Sequence, residues 1–177
     1  EDASPGYYTV KLTDNDVHVE ISAAPHVAFH KYTFGEGKAA NILADFQSGL
    51  VWTEDRIHTH VLENEVNFEN DKTISGYTRR KEWVERVYYF VITFDKPIVA
   101  KEELPKRDPR EKAPRYILTF DMQNDTTLNM KIAMSSASVE GAKVNLKAEV
   151  PHWDFDAVRK TAEKAWNTYL SRIHIEG

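Results

Sequence analysis

The sequence predicts a mainly β domain, a sandwich or a barrel, that ends in one long amphipathic helix. Three observations carry this expectation. Short segments rich in β-branched and aromatic residues alternate in hydropathy with period two along most of the chain. Clusters of turn-forming residues separate them at close intervals. Beyond Trp153 the apolar period lengthens to 3.6 residues and stays there. No stretch of 20–50 residues repeats, which excludes solenoids and propellers.

The elements follow in chain order. "GYYTVKL" opens as a strand, and "DVHVEIS" sets Val17, Val19 and Ile21 against His18 and Glu20. "HVAFHKYTF" alternates two sets, Val27, Phe29 and Lys31 on one face and Ala28, His30, Tyr32 and Phe34 on the other. One or two strands fit between Ile42 and Tyr77, while "LENEVNFENDKTISG" reads as an acidic turn region. "ERVYYFVITF" is apolar on both faces, as a central strand covered on two sides should be. "DKPIVAKEELPKRDPREKAPR" holds Pro97, Pro105, Pro109 and Pro114 among alternating charges and reads as a solvated connector. "RYILTFDM", "NMKIAMSS" and "AKVNLKAEV" complete a set of about nine strands.

The tail is helical. Phe155, Val158, Ala162, Ala165, Trp166, Tyr169, Leu170 and Ile173 form one apolar stripe, with Arg159, Lys160, Glu163, Lys164 and Asn167 off it. Asp154 and Asp156 stand at the first turn, where carboxylates complement exposed N–H groups and the helix dipole. The stripe is expected to pack on the sheet with Trp166 in the core, and Trp153 to staple the helix entry. Residues 1–150 are thus expected to form the sandwich and 151–177 an amphipathic linker helix.

Composition narrows the function classes. A chain of 177 residues with 41% hydrophobic and 29% charged residues is ordinary globular material, one domain or one domain with an appendage. A net charge of −5 offers phosphate backbones no footprint, so nucleic acid is not an expected partner. No run approaches the ~20 apolar residues of a membrane-spanning helix. With no cysteine, disulfides and thiolate chemistry are excluded.

Motifs for chemistry are weak. There is no nucleophile elbow, phosphate loop, dinucleotide fingerprint or H-E-x-x-H. His58-x-His60 puts two imidazoles on one strand face, a metal spacing, but no third ligand accompanies them and a solvent-facing pair is the stronger reading. His26 and His30 share parity in the same way. Glu63, Glu65, Glu69 and Asp71 lack the calcium-loop pattern and read as a solvated acidic turn. Asn124-Asp125-Thr126 fits the glycosylation sequon, which matters only in a eukaryotic secretory setting. Among the four tryptophans, Trp52 and Trp83 are the candidates for a sugar platform, since an exposed indole stacks on the apolar face of a pyranose. Trp83 is the stronger, standing just before "ERVYYFVITF" and beside Arg79, Arg80 and Lys81; a core role is the competing reading of both.

Taken in order, "ASPGYYTVKL", "HVAFHKYTF", "WVERVYYFVITFDKP" and the segment from "MKIAMSS" through "VPHWDFDAVRKTAEKAWNTYLSRIHIEG" resemble the N-terminal β-domain of glycoside hydrolase family 92. The resemblance covers nearly the whole chain and is most specific at "SPGYY" and at the W-D-F-D ending. It implies an antiparallel β super-sandwich of the galactose-mutarotase type, joined by a linker helix to an (α/α)6 catalytic barrel. It implies an exported parent, periplasmic or at the cell surface and of Bacteroides type. That parent would be an inverting, calcium-dependent exo-α-mannosidase of α-1,2 type acting on mannose-containing glycans. The acid, the base and the calcium ligands would come from the barrel, so no catalytic residue, metal ligand or cofactor is expected in this chain. Its partner would be the catalytic domain, expected beyond Gly177, and an early family segment would precede Glu1. Trp153, Asp154, Phe155, Asp156 and Trp166 would then lie at the interdomain linker. His26, Ala28 and Gly35 depart from the family's pattern of arginine, glycine and proline there, which bears on linkage specificity. The rival reading is a free-standing sandwich that binds carbohydrate or protein with no hydrolase attached, and the sequence beyond Gly177 discriminates the two.

Overall fold

The computed structural model describes residues 1–49, 61–81 and 84–173. Eleven strands and two helices are present among them: β1 Asp2–Ser4, β2 Tyr7–Leu12, β3 Val17–Ala23, β4 Val27–Phe34, β5 Asn41–Asp45, β6 Val61–Asn70, β7 Thr73–Lys81, β8 Glu85–Phe94, β9 Ile98–Glu103, β10 Arg115–Phe120, β11 Thr127–Ser135, α1 Val139–Glu149 and α2 Phe155–Leu170. An eight-stranded sheet runs β1-β2-β3-β4-β11-β8-β7-β6, and a three-stranded sheet runs β5-β10-β9. Every pairing is antiparallel. Neither sheet closes on itself, which settles the architecture as a sandwich and not a barrel.

The alternation read from β4 explains the layering. Its Phe34, with Val17, Val19, Ile74, Phe90, Ile92, Phe94 and Leu128, packs against Leu118 and Phe120 of the small sheet. Its Val27 and Phe29 point the other way, with Val91 and Ala133, onto Ala142, Val150, Phe155 and Val158 of the helical layer. Strands β4, β11 and β8 are therefore covered on both faces, which is why "ERVYYFVITF" has no polar side. Each large apolar side chain so buried contributes about 1.5–3 kcal/mol.

Three segments depart from expectation. "AKVNLKAEV" belongs to α1 and is not a strand. Ser138 caps α1 by accepting from Gly141 N at 2.9 Å. Val139, Ala142, Leu146 and Val150, spaced for a helix, face the sheet, and Val144, which completed the alternating pattern, is exposed. "LENEVNFENDKTISG" is mostly the β6–β7 hairpin, turning at Asp71 and Lys72. Its carboxylates sit on the water-facing side, while Val66 and Phe68 face the core. The proline-rich connector contains β9, whose charged side chains suit the exposed edge of the small sheet.

Two glycines are dictated by close approach. A Cβ on Gly76 of β7 would collide with the Glu65 carbonyl and come within 2.9 Å of Phe90 Cζ. Gly6, at φ +84° between β1 and β2, lies under α2, where a Cβ would meet Ala162 Cβ at 2.9 Å. The glycine of "SPGYY" is thus what lets the helix lie flat on the sheet edge.

Candidate functional site

The chemistry-bearing groups that converge do so at the elbow between α1 and α2. Asp154 caps α2, accepting from Ala157 N at 3.0 Å, and Asp156 follows in the first turn. Phe155 docks edge-on against Phe29 (5.4 Å between ring centroids) and Tyr7 (6.4 Å), and Trp153 does the same against Phe29 (5.9 Å). Trp153 therefore staples the helix entry as expected. Charged groups lean over these rings: Arg159 lies 3.6 Å from the Tyr7 ring centre and Lys31 5.6 Å from that of Phe155. Lys31 also pairs with Glu20 at 2.9 Å, and the Tyr7 hydroxyl donates to Glu20 at 3.0 Å. Burial works to raise the Glu20 pKa, but the bonds from Lys31 and Tyr7 outweigh it and hold it below the ordinary value.

Lys131 is the unexpected member. It sits on β11, only 5% exposed, between the sheet and the elbow. Its Nζ donates to Val150 O at 3.1 Å and His152 O at 3.4 Å, and lies 3.9 Å from the centre of the Trp153 ring. Burial draws its pKa below the ordinary lysine value. The other side of the elbow is braced by Glu149, which accepts from His26 N at 2.8 Å and meets His26 Nδ1 at 2.6 Å.

His26 and His30 do not converge. His30 faces the opposite layer, 3.0 Å from the Tyr32 hydroxyl, and burial lowers its pKa to about 4. Glu63 is taken up by Arg79 and Glu69 by Lys143. Trp52, Trp83, His58 and His60 lie outside the described residues.

Trp166 corrects the expectation of a fully docked stripe. It is 49% exposed, as is Leu170, and Tyr169 is 63% exposed, whereas Phe155, Val158 and Ala162 are buried. Helix α2 touches β2, β3 and β4, and among the described residues no strand lies beneath its apolar stripe beyond Ala162. Trp166→Ala should therefore change the stability of this chain by less than about 1 kcal/mol, as a partly exposed position does. Thermal melts against Phe155→Ala check this; equal losses would mean that the distal half of α2 is docked after all.

A second polar cluster lies between the sheets. Glu111, 2% exposed, accepts from Arg107 Nε at 2.8 Å and from Arg107 N at 3.0 Å, with Arg115 at 3.8 Å. Gln47 Oε1 accepts from the backbone of Lys112 and Ala113, each at 2.9 Å, and Arg80 donates to the carbonyls of Phe46, Gln47 and Ser48. Glu111, Lys112, Ala113 and Arg115 also line an open cleft of about 360 Å³ edged by Glu65, Glu103, Lys106 and Tyr116. Charges of both signs line it. Sequence reasoning missed Lys131 and Glu111, although a lone lysine in the otherwise apolar run "MKIAM" was a signal.

An antiparallel two-sheet sandwich carrying two helices on its back, the second half-docked, defines a β-domain with a helical annex. The comparisons specify which. The family model described as glycosyl hydrolase family 92 N-terminal domain matches residues 1–135, and that of the family 92 catalytic domain matches residues 141–177. The chain belongs to glycoside hydrolase family 92. A family 92 α-mannosidase from Bacteroides thetaiotaomicron superposes with a TM-score of 0.82 at 25% identity, over 99% of this chain and 25% of that one. The family 92 glycosyl hydrolase ccman5 gives 0.79 at 23% identity, over 99% and 25%. A family 92 inverting mannosidase from the same Bacteroides gives 0.80 at 21%, over 99% and 24%. The chain thus spans about a quarter of the length of these relatives. No curated protein matches it.

Proposed function

We propose that the chain is the non-catalytic, N-terminal portion of an exported inverting exo-α-mannosidase that acts on mannose-containing glycans. Its task is to hold the start of the catalytic domain. One observation carries the reading: the segment matched by the catalytic-domain model begins at residue 141, inside α1, yet α1 and the first half of α2 are docked on the sandwich. The distal face of α2, with Trp166, Tyr169 and Leu170 exposed, is then the seat for the rest of that domain. In an inverting glycosidase the acid and the base carboxylates stand roughly 6.5–9.5 Å apart, leaving room for water. On this reading both come from outside the chain, and the sandwich fixes where they stand. Calcium dependence belongs to the same proposal. No group of three or more His, Asp or Glu side chains converges among the described residues, so these residues do not fit as the ion's holder. Trp83 and Trp52 are the residues this reading offers to the sugar.

The test uses the full-length protein with an aryl α-mannoside and α-mannosyl glycans, before and after calcium chelation, with the anomer of the released mannose read by NMR. Expected are release of β-mannose, loss on chelation, recovery of the protein outside the cytoplasm, and no turnover by residues 1–177 alone. Turnover by the isolated chain would overturn the assignment. A full-length protein that binds glycans without cleaving them would favour the free-standing binder.

A further inference from the structure

Lys131 poses a physical question. An ammonium at 5% exposure with no carboxylate partner among the described residues is costly, and a methionine would fill its place without that cost. Among the described residues its compensation comes from the elbow. Val150 is the C-cap of α1, where carbonyls are left without helical partners and the helix dipole is negative. His152 O lies two residues on, and the Trp153 ring closes the shell. Only Pro151, His152 and Trp153 separate the end of α1 from the cap of α2. One side chain from the sheet therefore grips both ends of this three-residue link.

We propose that Lys131 is a positioning residue: it sets the angle at which α2 leaves the sandwich, and through α2 the placement of the catalytic domain. Helix α2 has 16 residues and is about 24 Å long, so a tilt of about 5° at the elbow moves its far end by about 2 Å. Misplacements of about 1 Å can cost ~100-fold in rate. A small loosening at Lys131 is thus amplified where it matters.

The inference rests on the mannosidase reading only for its kinetic arm. In the full-length protein, hydrogen exchange at residues 150–157 is followed together with kcat and KM on an aryl α-mannoside. Lys131→Met should melt within about 2 °C of the parent, or higher. Its elbow amides should exchange at least ~tenfold faster. Its kcat should fall at least ~fivefold, with KM held within about twofold. Lys131→Arg, which keeps the donors, should recover part of both losses. Unchanged exchange, or faster exchange with unchanged kcat, would overturn the proposal. Should the methionine variant fail to fold, Lys131→Gln, which stays polar but loses the ammonium, carries the same expected and contrary results. If the parent cleaves no mannoside, the mannosidase reading fails, and the exchange arm alone decides whether Lys131 holds the elbow.

Discussion

Phe29→Ala is expected to cost about 3–5 kcal/mol, the usual loss for a buried phenyl. Phe29 is fully buried and presents its ring to two others, Phe155 and Trp153, both nearly perpendicular to it at 87° and 83°. Removing it leaves a cavity between β4 and the start of α2, where edge-to-face contacts add about 0.5–1.5 kcal/mol per pair beyond area. The loss should appear in urea titrations as a lower midpoint, with Trp153 emission shifting red before the β-sheet signal is lost. A loss below about 1 kcal/mol would mean that the helical layer adds nothing to the sandwich.

Glu111→Ala should cost about 1.5–3 kcal/mol, the usual worth of hydrogen bonds to a charged group, because Arg107, 42% exposed, can turn to water while the more buried Arg115 loses its nearby carboxylate. Among the described residues Arg115, whose side chain is 11% exposed, would keep the Pro105 carbonyl at 2.6 Å. The effect carries a pH signature. Burial by itself would raise the Glu111 pKa, but the bonds from Arg107 and the charges of Arg107 and Arg115 outweigh it, and the net shift is below the ordinary 4.5. A carboxyl lowered on folding contributes its stability fully above the unfolded value and loses it as pH falls through the folded one. The parent should therefore weaken as pH drops below about 4.5, and Glu111→Gln should weaken less steeply over the same window. Parallel curves of unfolding free energy against pH would assign the acid sensitivity elsewhere.

What was legible in the sequence were the features settled by neighbours in the chain. The two faces of β4 separate as read, because period two survives any tertiary arrangement. The cap at Asp154 was equally local. In α1 the local signals conflicted: Ala142, Val144 and Leu146 alternate as in a strand, while Val139, Ala142, Leu146 and Val150 keep helical spacing. Capping by Ser138 and packing on Val91 and Ala133 decide in favour of the helix. Trp166 shows another limit. A stripe tells which side of a helix is apolar, and not how far its neighbour extends. The polar cluster was out of reach altogether, since Gln47 meets backbone groups 65 and 66 residues away.

The place of β11 has a consequence for how the chain acquires its shape. It is the last of the described strands in sequence, yet it lies in the middle of the large sheet, joining β4 on one side to β8 on the other. Until Thr127–Ser135 has left the ribosome, the β1–β4 meander and the β6–β8 meander can form but cannot join. Each meanwhile exposes an unpaired edge beside a half-built core, the condition in which nascent chains aggregate or wait for a chaperone. Insertion of β11 seals both edges at once and brings α1 and α2 in directly behind it. Folding of this sheet is therefore expected to be late and abrupt, limited by one long-range pairing step.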